Sequence, residues 1–377
     1  MDKHDYRSWM SVALLCGIGL SNVAGARNIH VCTTCAHTSI QSAVDDAVSG
    51  DVVYVAAGRY TENVTIEGKQ LTLIGAGAST TGVPGLIHPS AGVSAVIAAG
   101  EGPVFTLGTS AFSFEYPLIT IQGFTIMNGH HLRGTGVGGG LQVRAGAYLH
   151  LIDSIVTQNT ATSGGGIGVN SPGAFETTIT GCLIDDNIAT SPAYSYTPGG
   201  GIAVLEGSSV SIQHSIITRN QSTSGGGVSG AVGSTLTMAD TTVSNNTAAI
   251  FRTPFGPTEG VGGGLQISGD FAISASFFVD NTAYSEDGGG GIEIYFTAWR
   301  KHTISSTIIA RNSVPAGVGG GIAAYATGDS SMKLILNQVY VVENLGGGGL
   351  WSTVPLTLTD TTVKDNIGGD VCRNGIC

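Results

Sequence analysis

The carboxylates Glu259, Glu286 and Asp287, the guanidinium of Arg252 and the rings of Tyr194, Tyr196, Phe251, Phe255 and Tyr284 stand in three short stretches, each just ahead of a run of glycines. Flat rings beside hydrogen-bonding charges suit a sugar chain, because rings stack on sugar faces while the charged groups bond hydroxyls. The competing reading is that these rings pack their own loops down onto the scaffold. A second group, Tyr295, Phe296, Trp299, Arg300, Lys301 and His302, is the densest cationic spot in the chain. Arg, Lys or His can serve as the strong base of a β-elimination if a cation or carboxylate neutralises the acid beside it. Sequence places no such neutraliser, and one basic turn on an acidic chain also reads as a solvated loop. His130 and His131, beside Arg133, read as exposed loop histidines.

The elements that must position these residues repeat. Triple glycines begin at Gly138, Gly164, Gly199, Gly225, Gly262, Gly289, Gly319 and Gly347, and each is answered by an asparagine: Asn159, Asn187, Asn220, Asn246, Asn281, Asn312, Asn344 and Asn366. A period near 26 residues built from strands rather than helices marks a solenoid. Three places before the asparagine stand Val156, Ile184, Ile217, Val243, Phe278, Ile309, Val341 and Val363. Five places before it stand Ser154, Cys182, Ser215, Thr241, Ser276, Thr307, Val339 and Thr361. Positions two apart on a strand share a face, so both columns point into one core.

Two further alternating runs per repeat, such as Leu141-Gln142-Val143 and Tyr148-Leu149-His150-Leu151, give three strands per coil. Coils stacked at roughly 4.8 Å then make a parallel β-helix. The asparagine is expected to take a left-handed turn position and to stack on its neighbours as a structural ladder. The glycines permit corners that no Cβ would allow. Insertions fall between asparagine and glycines, after Asn187 (188–198), Asn246 (247–261) and Asn281. The two long insertions sit two coils apart, roughly 9.6 Å, and flank a saddle floored by Gln221-Ser222-Thr223-Ser224.

Ahead of the repeats, Thr38 with Gln41 resembles a capping box, and Ile40, Ala43, Val44, Ala47 and Val48 fall on one helical face. A helix over 39–48 would cover the open end of the solenoid and shield its edge. The stretch Ser39 to Ala47, then Gly50-Asp51, then Gly58-Arg59-Tyr60-Thr61-Glu62, resembles the opening of pectin-lyase-fold proteins. The later repeats are similar to bacterial polymorphic outer-membrane proteins, whose second signature element is matched by Phe278-Val279-Asp280-Asn281 and approached by Ile217-Thr218-Arg219-Asn220. Together these resemblances imply an all-β fold: a single-stranded right-handed parallel β-helix of about eleven coils with an N-terminal capping helix. They do not carry a catalytic site. The motifs of pectin methylesterases and pectate lyases are missing, and Gly129-His130-His131 with Asp185-Asp186 meets the polygalacturonase pattern in the wrong order and only in part.

Residues 10–20 are apolar but too short to span a bilayer, and Ala24-Gly25-Ala26 supplies a small-x-small cleavage signal. The expected organisation is a signal peptide at 1–26 and a β-helix at 27–377, divided into cap and first coils (27–137), eight repeats (138–366) and a C-terminal cap (367–377). Charged residues make up 11% of the chain, with a formal net charge of −11. That balance argues against nucleic acid or an anionic membrane as partner. Cys32 and Cys35 lie at one end of the solenoid and Cys372 and Cys377 at the other, separated by roughly 40 Å of stacked coils. Two local disulfides, Cys32–Cys35 and Cys372–Cys377, follow for an oxidising compartment, and Cys182 is left as a buried thiol.

The reading that results is a secreted or cell-surface (extracellular or periplasmic) monomer without a membrane span. It binds a polysaccharide or cell-surface glycan without catalysis, and no cofactor or metal is expected. The rival reading is a polysaccharide lyase or glycoside hydrolase with a divergent site, in which case a calcium ion would enter.

Overall fold

The architecture comes from a computed structural model, which describes residues 25–78, 92–108, 117–134, 136–173, 175–191, 196–249, 252–253, 256–257, 260–286, 288–296, 302–315, 317–326 and 333–373. One coil shows the plan. Tyr148–Ile152 lies in a first sheet, Ile155–Thr157 in a second, Thr160–Ala161 in a short corner sheet and Ile167–Val169 in a third. Among the described residues the first sheet has twelve strands, the second and third eleven each, and the corner sheet six. Every pairing in these sheets is in parallel, coil on coil, as in Ile155↔Leu183 and Val156↔Ile184. The described residues form a right-handed parallel β-helix of about eleven coils.

The core runs the length of the stack. Val156, Ile184, Ile217, Val243, Phe278, Ile309 and Val341 are all fully buried. Of the column five places before the asparagine, Ser154, Ser215, Thr241, Ser276 and Thr307 are buried too, and their function is local. Ser215 Oγ donates to Gln213 O at 2.7 Å and accepts from Cys182 N of the preceding coil at 3.2 Å. The corner between first and second sheets thereby satisfies backbone groups that the ladders leave open.

The asparagine ladder is present, with one correction. Successive side chains join by Nδ2–H···Oδ1 bonds, 3.0 Å from Asn187 to Asn220 and 3.0 Å from Asn220 to Asn246. Left-handed backbone, however, belongs to the residue before each asparagine: Gln158, Asp186, Arg219, Asn245, Asp280, Arg311, Glu343 and Asp365, with φ of 53–58°. The asparagine itself must turn its amide inward, so its neighbour makes the corner and keeps its own side chain outside. The glycines belong to the same device. At Gly166 a Cβ would lie 2.7 Å from Gly201 O and 3.0 Å from Asn187 Nδ2, so the third glycine is the wall against which the ladder amide packs.

The helix spans Ile40–Asp46 and packs against the strands Asn28–Val31, Val52–Val55 and Val64–Ile66. Ile40, Ala43, Val44 and Ala47 join the core, whereas Val48 is exposed because the helix has already ended. The capping box expected from Thr38 and Gln41 is replaced by another arrangement. Ser39 is the N-cap and accepts from Ser42 N, while Glu62 takes Ile40 N and Gln41 N at 2.8 and 2.9 Å. A carboxylate from the next turn of chain satisfies two free amides at once and favours the positive end of the helix.

Candidate functional site

The corner sheet decides where the insertions go. Its strands run in the order His130–His131, Thr160–Ala161, Ile188–Ala189, Gln221–Ser222, Thr247–Ala248, Thr282–Ala283. The chain leaves this ladder after Ala189 and again after Ala248, with Gln221–Ser222 between. His130 and His131 are therefore strand residues; His130 is exposed, and the His131 Nδ1 lies 3.2 Å from Val137 O.

The base of the first insertion is fixed. Thr197 is buried, its amide donates to Thr223 Oγ1 at 2.7 Å, and its hydroxyl donates to Ala189 O at 3.1 Å. Tyr196, next to it, is 57% exposed, yet its hydroxyl lies 3.4 Å from Ser224 Oγ on the saddle floor. Ser224 continues to Gln266 Oε1 at 3.3 Å, which also accepts from Ser229 Oγ at 3.0 Å. Tyr196 is thus held through its hydroxyl and through the anchored Thr197 next to it, while much of its ring remains in solvent. Tyr284, 48% exposed, is likewise held by backbone: its amide donates to Ala248 O and its carbonyl accepts from Gly260 N. Glu286 beside it is exposed. Corner strands place Tyr196 and Tyr284 three coils apart, about 14 Å.

Arg252 is described by its backbone, which pairs with Pro257 in an antiparallel hairpin, Arg252–Thr253 against Gly256–Pro257. Tyr194, Phe251, Phe255, Glu259 and Asp287 lie outside the described residues, as do Trp299, Arg300 and Lys301.

The second predicted patch resolves differently. Tyr295 stacks on Tyr325 with ring centroids 5.3 Å apart, and Tyr325 leans on Trp351 at 4.6 Å. The three rings form a row on the outer side of the third sheet and spend faces on one another. His302 is a correction. It begins a strand of the first sheet, in register with Phe271 and Leu334, and is 4% exposed. Its ring stacks on Phe271 at 4.9 Å and meets the edge of Phe296 at 4.6 Å. Period-two alternation turns His302 and Ile304 inward, so His302 is no part of a surface cationic cluster.

Tyr325 and Trp351 were not singled out by sequence reasoning, although Tyr295 and Tyr325 stand six places after Gly289 and Gly319. A second surface was missed outright. Four places before the asparagine, Leu183, Ile216, Phe277, Ile308 and Tyr340 face outward on the second sheet, with Ile216, Phe277 and Tyr340 at 48%, 44% and 51% exposure. The signal was in the columns, between the two inward ones.

Burial pushes the Asp185 carboxyl up, against the pull of the Arg219 guanidinium that hydrogen-bonds it; Asp186 beside it is exposed. Among the described residues no group of three or more His, Cys, Asp or Glu could hold a metal. Cys32 and Cys35 are joined, with Cα atoms 5.0 Å apart. Cys377 lies outside the described residues, and with it the predicted bond to Cys372. Cys182 is a free, buried thiol, its pKa pushed up to about 12 by burial.

Residues 108–269 match the family model for the right handed beta helix region. That match and the stacked parallel strands describe the same right-handed β-helix. Solved structures similar to it are the pectate lyase Pel9A (14% identity, TM-score 0.41, covering 92% of this chain and 82% of that one), and two pectin methylesterases. The Aspergillus niger enzyme in deglycosylated form shows 12% identity and TM-score 0.38, over 92% and 86% of the two chains. The carrot enzyme shows 11% identity and TM-score 0.37, over 93% and 89%. No curated protein matches this chain.

Proposed function

We propose that this β-helix is an exported, non-catalytic glycan-binding protein whose binding surface is the saddle over the corner sheet. The observation that supports this reading is Tyr196: a large ring, more than half exposed, immobilised by its hydroxyl contact to Ser224 and by the buried Thr197 beside it. A preset ring loses little entropy on stacking against a sugar, and rigid coils hold it in place. Tyr284, about 14 Å along the axis, provides a second ring, so the surface suits an oligosaccharide rather than a single sugar. Buried Ser224, Ser229 and Gln266, bonded to one another beneath, brace the Tyr196 end of that surface. Removal of residues 1–26 on export belongs to the same reading. Among the described residues no helix is long and apolar enough to cross a membrane.

A glycan array paired with a reducing-end release assay tests it. Wild-type protein is expected to retain one class of glycan and release no reducing ends. Tyr196→Ala with Tyr284→Ala should lower retention at least tenfold at unchanged Tm, whereas Tyr325→Ala, in the stacked row, should leave binding intact. Unchanged binding by the double variant removes the saddle, and released reducing ends remove the non-catalytic reading.

A further inference from the structure

Among the described residues, strand Asn28–Val31 is the edge of the first sheet and pairs with Val52–Val55 alone. Its far end is held by the Val31↔His37 bridge and the Cys32–Cys35 disulfide. Its near end is held by Asp51, while Asp46 takes the outer side of the Arg27 guanidinium, its carbonyl accepting from Nη2 at 2.6 Å and its carboxylate lying 3.6 Å from Nη1. Asp51, 1% exposed, accepts Arg27 N at 2.8 Å on Oδ1, and on Oδ2 it accepts Arg27 Nε at 2.9 Å, Arg27 Nη2 at 2.7 Å and Val48 N at 2.9 Å. Burial opposes the charge on Asp51, but these bonds outweigh it and hold the carboxyl at about 2. The peptide bond just before this contact closes the Ala24-Gly25-Ala26 signal. Gly25, Ala26 and Arg27 are all exposed, and a Cβ on Gly25 would meet nothing within 4 Å.

We propose that the bond between Ala26 and Arg27 is a processing site whose cleavage completes the edge of the fold. Hydrolysis consumes one water and leaves a carboxylate on Ala26 and an α-ammonium on Arg27. The nitrogen that carries the new charge already sits 2.8 Å from Asp51 Oδ1, so a neutral amide contact becomes a charge-assisted one without rearrangement. Asp51 is already desolvated, and the exposed ammonium keeps its other protons in water. The usual cost of burying an ion pair is therefore largely absent. Processing, by this route, tightens the strand that would otherwise be the free edge of the longest sheet.

The inference rests on the removal of residues 1–26 proposed above, and two measurements separate the claims. N-terminal sequencing of exported protein is expected to start at Arg27; a start elsewhere overturns the processing site. Independently, protein made to start at Arg27 is compared with protein starting at Ala24 and with the Arg27 form acetylated on its α-amine. The Arg27 form is expected to melt about 1–2 °C higher than both at pH 7. An amine beside a carboxylate titrates above its unfolded value of about 7.7–8.0, so the advantage is complete below that range and lost as pH rises through the folded value. The three forms should therefore melt together near pH 11. In an Asp51→Asn background the advantage should vanish at pH 7. Should that variant not fold, the rate of acylation of the Arg27 α-amine decides, being several-fold slower in folded than in urea-unfolded protein at pH 8. Equal melting of all forms at pH 7, or equal acylation rates, overturns the ion pair.

Discussion

At the scale of single residues, the repeat is held by asparagine amides that have no substitute of the same shape. Asn220 is 1% exposed; its Oδ1 accepts from Asn187 N at 3.0 Å and from Asn187 Nδ2 at 3.0 Å, and its Nδ2 donates to Ile184 O and Asn246 Oδ1. Replacing it by leucine would leave the buried Asn187 backbone amide without its acceptor and take one bond each from Asn187 Nδ2, Ile184 O and Asn246 Oδ1. Asn220→Leu is expected to cost roughly 2–4 kcal/mol, since each orphaned buried group costs about 1–3. Urea unfolding measures it, and a loss within about 0.5 kcal/mol, as at an ordinary surface site, would mean the ladder is ornamental. The left-handed residue beside each asparagine shows why propensity misplaced the turn. Glutamine, arginine and glutamate are poor candidates for positive φ, yet Gln158, Arg219 and Glu343 adopt it. The coils above and below over-determine their backbone, and the asparagine is needed elsewhere.

At the scale of elements, stability should lie in the columns and not in the insertions. Ile217 is fully buried between Ile184 and Val243 of adjacent coils. Ile217→Asp is expected to cost several kcal/mol by placing an unpaired carboxylate there. Deleting residues 191–196 should change Tm little, because the loop base is closed by Thr197 on Thr223 and Ala189, and loop length enters stability only logarithmically. Comparable losses of Tm from the two changes would contradict the division between scaffold and insertion. That division was legible in sequence because insertions lengthen the repeat without disturbing its columns. Strand assignment near an insertion was less legible. His302 follows Trp299, Arg300 and Lys301, and composition groups it with them; it faces inward only because it pairs with Phe271, a partner 31 positions back.

At the scale of the whole molecule, the two ends differ. The N-terminal coil is backed by the helix, and Ile29, Val31 and Val53 are buried. In the last described coil, Leu358 is 40% exposed and Leu356 and Val363 are only half-buried, although the residues they pair with, Leu336, Leu334 and Val341, are fully buried. In a stack whose coils contact only their neighbours, opening begins where the inward side chains are least covered. Amide hydrogen exchange should thus be fastest, among strand amides, in Leu356–Thr359 and Thr362–Lys364, and slowest in the central coils around Ile202–Val204 and Ser209–Gln213. Uniform protection from end to end would indicate one cooperative unit instead.

The sequence by itself determined the coil, its inward columns, the asparagine ladder, the sites of insertion and the Cys32–Cys35 bond. Each is a relation between positions a fixed distance apart, and in a solenoid sequence period and spatial neighbour coincide. Tertiary structure alone decided which residue of each corner goes left-handed, that His302 is interior, that Glu62 caps the helix, and that Tyr196 is pinned across the saddle by Ser224. Those outcomes depend on contacts between coils or between turn and cap, where several residues compete for one backbone conformation or one free donor. Local pattern gives no ranking among such competitors; the contact with the lowest free energy in the assembled stack does.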